Sequence, residues 1–196
     1  MIADRRNGSI LMGLHHFSSE AGIGRFDPRP VLVPSMRPPG REWLNGPLVW
    51  AIETDWRGLY LFPRECPRIL LRRRYDTIAE DAGRWFGQSN ADMIAYVEAR
   101  WMDSISTVTL HRYDFPSEGF ESLEDAGMWV SRDVVTPIQA TPMSDLPAEL
   151  ANAGVELRPV EALTFLRDIW SSSLHASGIR LRNAVGWIKD TTGATS

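Results

Sequence analysis

The chain sets short apolar runs between long polar or proline-broken connections, and no run reaches the length of a membrane span. Leu11 to Phe17 reads as a first strand, and the continuous apolar run Leu48 to Ile52 predicts a strand buried on both faces. Leu59 to Phe62 and Pro67 to Leu71 predict two more, separated by the bend Pro63-Arg64-Glu65-Cys66-Pro67. Met93 to Trp101 alternates with period two, and the Thr- and aromatic-rich stretch Ser104 to Phe115 reads as its antiparallel neighbour across Met102-Asp103. Met128 to Ser131 and Val134 to Ala140 are further short β segments. Helical signals come late. Leu146 to Ala153 is closed by Gly154, and in Glu161 to Ala176 the residues Leu163, Leu166, Ile169, Trp170 and Leu174 form a core-facing stripe. The reading is a single β-rich α+β domain over residues 10–188, with helices mostly toward the C-terminus and flexible ends at 1–9 and 189–196.

From Asp27 to Pro47 six prolines exclude a regular helix or a central strand. Long loops inside compact domains are usually functional or disordered, and Trp43, Leu44 and the Asn45-Gly46 turn, which suggest that this stiff one is packed down at its end, favour order. The net charge of -4 argues against general binding to nucleic acid or to an anionic membrane. Cys66 is the only cysteine, so no intrachain disulfide forms, and the polar start Met1 to Gly8 has no apolar core of signal-peptide length. A cytoplasmic protein is the expectation, with no membrane segment and with the oligomeric state open. Basic charge is carried by Arg, with Lys189 alone breaking the pattern, which suits forked recognition of phosphate or reflects a GC-rich genome.

The candidate chemistry is incomplete everywhere. His15 and His16 are adjacent on a strand and point to opposite faces, so they do not share a metal; no His spacing or cysteine pair suggests a zinc site, and none is predicted. One of the pair is a candidate pocket residue, the other a core or edge histidine. Gly22-Ile23-Gly24 begins like a dinucleotide fingerprint, but Asp27 replaces the third glycine and Pro28 and Pro30 forbid the helix that should follow. Arg25, Arg29, Arg37, Arg41 and Arg64 surround the Pro-rich loop and the bend, where they either clamp a phosphate or simply face solvent. Glu53 and Asp55 are read as sharing a face at the end of a strand, one way to aim a carboxylate into a cleft. Cys66 is read as an inert buried thiol.

The runs LHHFSSEAGIGRFDPRP, GPLVWAIE, LYLFPRECPRI, DAGMWVSRDVVTP and HASGIRLRNA together resemble an uncharacterised bacterial family, domain of unknown function 6886, over about residues 11–184. A second resemblance carries chemistry. The Leu-His-His-Phe-Ser strand, a loop and a Val-Trp-Ala strand are similar to the opening of ADP-ribosyltransferase-like domains. That resemblance implies a split or strongly bent antiparallel sheet core cradling NAD as substrate. His16 would meet the NAD ribose with Ser18 nearby, and the strand carrying Trp50 would form the next pocket wall. Arg29 or Arg64 would meet the diphosphate, and Glu53 or Asp133 would supply the carboxylate. The late segment around Met128 to Ser131 departs from the family pattern, with Asp125 before it and Asp133 after it and no glutamate in register. The alternative is a non-catalytic binding or interaction module on the same scaffold.

Overall fold

A computed structural model describes residues 13–187. The expected flexible ends, 1–9 and 189–196, and the first two residues of the expected opening strand lie outside the described residues. The strands divide between two sheets. In chain order they are β1 (Leu14–Ser18), β2 (Val49–Glu53), β3 (Arg68–Arg72), β4 (Met93–Glu98), β5 (Leu110–Phe115), β6 (Glu121–Ser122), β7 (Met128–Ser131), β8 (Gln139–Met143), β9 (Val155–Val160) and β10 (His175–Ile179). The helices are sparse: α1 (Ala79–Phe86), α2 (Met102–Thr107) and α3 (Leu146–Asn152), with short 3-10 turns between them. The class is α+β. One sheet has six strands in the order β6-β7-β2-β1-β5-β8, the other four in the order β10-β3-β4-β9. The chain also clusters into two compact units: residues 13–16, 22–56 and 113–140 form the first, and residues 17–21, 57–112 and 141–187 form the second.

In the first unit, β2 is the axis. It pairs antiparallel with β7, Trp50 facing Val130 and Ile52 facing Met128, and with β1, where Leu14 faces Glu53 and His15 faces Ile52. One face buries Leu14, Val49, Ala51, Tyr113 and Phe115 under Phe26 and Val135; the other carries Leu44, Leu48, Leu123 and Val130. A single side chain clasps the Pro-rich loop. Asn45 accepts from the Ser35 amide at 3.3 Å and from Arg37 Nε at 3.4 Å, and donates to the Ser35 carbonyl at 2.9 Å. Its own carbonyl takes the Val31 amide. Leu44, on the 3-10 turn Glu42–Asn45, is buried beneath.

The second unit is built on β4, whose six residues are all buried. β4 runs antiparallel to β3 and parallel to β9; it is covered on both faces where the sequence predicts period-two alternation, and it ends at Glu98, because Ala99–Trp101 is a 3-10 turn. α1 contributes Trp85 and Phe86 to a core with Ile69, Leu71, Ile94, Leu163, Leu166 and Ile169.

Four further local expectations are corrected. Leu59 to Phe62 is no strand: the 3-10 turn Thr54–Leu59 leads into a loop in which Leu61 and Phe62 are buried. Asp55 therefore sits on that turn, not on β2 beside Glu53. Ser104 to Phe115 does not pair with β4; Met102–Thr107 is α2, because full burial of Ile105 outweighs the β preference of its neighbours. Glu161 to Ala176 is not one helix but the 3-10 turns Leu163–Leu166 and Ile169–Ser171 followed by β10. Leu163, Leu166 and Ile169 recur every three residues, the period of a 3-10 turn, and Ser172 Oγ donates back to the Ile169 carbonyl at 2.7 Å.

Candidate functional site

The chemistry-bearing side chains of the first unit lie on the two faces around β2. His15 and His16 do point to opposite faces. His16 Nδ1 donates to the Trp50 carbonyl at 2.9 Å, and since a carbonyl only accepts, the neutral ring keeps its lone pair on Nε2. The ring packs against Phe26, centroids 5.0 Å apart, and stacks on Phe115 at 6.1 Å. Glu53 shares that face, because it stands opposite Leu14, two residues before His16. Its carboxylate accepts from Trp129 Nε1 at 2.7 Å.

On the opposite face Trp50, Met128 and the Pro-rich loop border a half-open cavity of about 400 Å³, lined also by Arg37, Arg41, Glu124 and Asp125. A cavity of this size falls within the range of small-molecule sites. Arg37 lies over the Trp50 ring, 5.7 Å from its centroid, with Nε held by Asn45. Arg41 donates to the Leu123 carbonyl at 3.2 Å. Among the described residues neither guanidinium has a carboxylate partner. Trp50 Nε1 is buried and has no hydrogen-bond partner among them. A buried N–H left unpaired costs free energy, which a ligand acceptor removes. The acidic wall is the tip of the β6–β7 hairpin, where Glu124 and Ala126 adopt positive φ (53° and 46°) around Asp125. At Gly127 (φ 66°) a Cβ would come within 2.4 Å of Trp56 Cδ1.

A second arrangement on this face joins residues far apart in sequence. His15, 8% exposed, has Nδ1 2.7 Å from Asp114 Oδ1 and Nε2 2.8 Å from Thr54 Oγ1. Thr54 Oγ1 also lies 3.3 Å from the Gly13 carbonyl. A Cβ on Gly13 would fall 2.7 Å from Thr54 Oγ1 and 3.0 Å from His15 Nε2, so glycine is what lets the backbone approach this chain of groups.

The other expected site residues are scattered. Arg29 is exposed and contributes its backbone, exchanging hydrogen bonds with Leu48. Asp133 lines a different cavity, of about 330 Å³, with Phe120, Glu121 and Arg132. Ser18 and Arg64 belong to the second unit; Ser18 Oγ accepts from the Glu20 amide, and the Arg64 carbonyl from Arg180 Nε. Thus Arg37 and Arg41, rather than Arg29, stand beside Trp50. The sequence sets both around the loop, but the expectation names Arg29 or Arg64 for the diphosphate, because which arginine reaches Trp50 depends on the loop's tertiary path. Asp114 and Thr54 were missed altogether.

Cys66 is fully buried, and burial pushes its thiol up to about 11, which makes it a poor nucleophile. Among the described residues no group of three or more His, Cys, Asp or Glu is placed to hold a metal ion, and no helix is long and apolar enough to cross a membrane. No curated protein and no solved structure matches the chain, so the resemblance to ADP-ribosyltransferase-like domains finds no support in either comparison. A family model does match, over residues 15–184, and on that extent the chain belongs to the Family of unknown function (DUF6886).

Proposed function

We propose that the first unit binds NAD or a related nucleotide in the Trp50 cavity and acts as an ADP-ribosyltransferase-like domain, releasing nicotinamide and passing on ADP-ribose. The observation that carries this reading is the buried Trp50 N–H, without a hydrogen-bond partner among the described residues, on a ring that lines the cavity together with two guanidinium groups that make no ion pair among those residues. Two guanidinium groups beside an indole N–H suit an anionic acceptor, and phosphate fits the forked geometry of arginine. Glu124 and Asp125 on the facing wall are acceptors for ribose hydroxyls. The split β core expected of the resemblance is in keeping with the two sheets. His16 acts on the cavity from behind, by fixing the Trp50 carbonyl, and is a positioning residue in this reading. Glu53, held by Trp129, lies on the His16 face, across the sheet from the cavity, and is not the carboxylate of a nucleotide bound there.

The test is a calorimetric titration with NAD. Wild type should show saturable heat, and the Arg37→Gln/Arg41→Gln double variant should bind about tenfold or more weakly, since each lost charge-assisted bond is worth roughly 1.5–3 kcal/mol. No heat at millimolar NAD would overturn the reading. Binding without nicotinamide release would leave a non-catalytic nucleotide-binding module.

A further inference from the structure

The row of residues that crosses the sheet beside the cavity is Met128, Ile52 and His15, on β7, β2 and β1. Met128 lines the cavity and His15 belongs to the Asp114–His15–Thr54 chain, so both arrangements occupy one face. At about 4.8 Å between neighbouring strands, His15 is roughly 10 Å from the cavity wall, within the span of a bound dinucleotide. The carboxylate of Asp114 can only accept, so it fixes the His15 proton on Nδ1 and turns the basic Nε2 toward the Thr54 hydroxyl. This is the constellation that activates a hydroxyl: nucleophile, base and orienting carboxylate, each within hydrogen-bond reach of the next.

From this geometry we infer that Thr54 is the acceptor hydroxyl of the domain, a site of self-modification by ADP-ribose; the inference rests on the NAD reading above. The surroundings decide which electrophile it meets. Acyl transfer needs N–H donors aimed at a developing oxyanion. The charged group shown nearest the Thr54–His15 pair is a carboxylate, Asp114 on the imidazole, and the adjoining wall carries Asp125 and Glu124 as well as Arg37 and Arg41. Negative charge stabilises the oxocarbenium-like, positively charged transition state of glycosyl transfer instead. In the step, Thr54 Oγ bonds to the anomeric carbon of the nicotinamide ribose. The carbon–nitrogen glycosidic bond breaks, and nicotinamide leaves with the bonding pair as a neutral base. The hydroxyl proton passes to His15 Nε2, and Asp114 stabilises the imidazolium.

The experiment incubates the full chain with NAD and reads intact mass, peptide mapping of any adduct, and NAD binding by calorimetry on the same samples. One ADP-ribosyl unit on Thr54 is expected in wild type and in Thr54→Ser. The adduct should vanish in Thr54→Val, and in His15→Asn it should form at least tenfold more slowly, with NAD still bound in both. Nicotinamide release with no adduct, or an adduct on another residue, overturns the inference and leaves the NAD reading standing. Absence of NAD binding in wild type overturns both. An adduct on Thr54 at the same rate in wild type and His15→Asn removes the role given to His15 and overturns the activated-hydroxyl argument.

Discussion

The two compact units treat buried polarity in opposite ways. In the second unit, Glu98 is fully buried at the end of β4. It accepts from the Val185 amide at 2.6 Å and from both Nε and Nη2 of Arg100. Arg68, 3% exposed, donates to the Leu59 and Cys66 carbonyls at 2.9 and 3.0 Å and sits over the Phe62 ring. Burial lowers its pKa to about 10, and carbonyls rather than a carboxylate satisfy it. Trp101 Nε1, buried without a partner among the described residues, is an exception. In the first unit Ser131 bonds the Asp133 backbone, but His15 lies between two side chains, Asp114 and a half-buried threonine, and the Trp50 N–H is buried without a partner among the described residues on a ring that lines a cavity. Backbone partners fix a frame, whereas exchangeable ones leave room for a ligand. That difference is why the candidate chemistry is placed in the first unit.

The largest effect should come from breaking the frame. Glu98→Ala strands the Val185 amide and opens a hole at the end of a fully buried strand, so a loss of about 2–4 kcal/mol is expected in urea unfolding. The matched change in the first unit, Asp114→Asn, keeps an acceptor for His15 Nδ1 and should cost about 1 kcal/mol or less. If the two variants lose equal stability, the contrast between frame and site fails.

A middle-sized effect should follow from Asn45→Ala. Three side-chain hydrogen bonds close the Pro-rich loop through this residue, but the loop is largely exposed, so roughly 1 kcal/mol of stability is at stake. The loss of NAD affinity should be the larger consequence, because Arg37 then has no anchor on its Nε. Unfolding and titration measured on one preparation separate the two; unchanged affinity would remove Arg37 from the site.

What could be read from the sequence was whatever local chemistry determines. The late helix is placed well because its signals are adjacent: the Asp145 carboxylate caps the Ala148 amide, a proline opens the first turn, and Gly154 closes it at φ 71°. His15 and His16 fall on opposite faces by strand geometry alone. Long-range partnerships left no such trace. His15 meets Asp114 across 99 residues and Thr54 across 39, distances at which no spacing rule operates. The same limit hid which arginine of the loop reaches Trp50, since that depends on how Asn45 folds the loop back. The stripe in Glu161 to Ala176 misled for a different reason: a three-residue repeat satisfies a helical template over one turn, and the serine run that ends it competes through its own side chains.

The smallest effect concerns acid, and it tests whether the frame is held by charge as well as by burial. Asp81, in the first turn of α1, accepts from both the amide and the hydroxyl of Ser173 at 2.7 Å. Those two hydrogen bonds hold its carboxyl below the ordinary value of 3.8. A carboxylate depressed in the folded state stabilises that state above its unfolded value, and the contribution disappears as pH falls through the lower, folded value. Asp81→Asn should therefore be slightly less stable than wild type at pH 7, and the gap should close as the medium is acidified below 3.8. Thermal unfolding of both proteins across that window checks the sign. A gap that stays constant with pH would mean that Asp81 holds Ser173 by shape alone, and that the second unit owes its rigidity to packing rather than to its ionised groups.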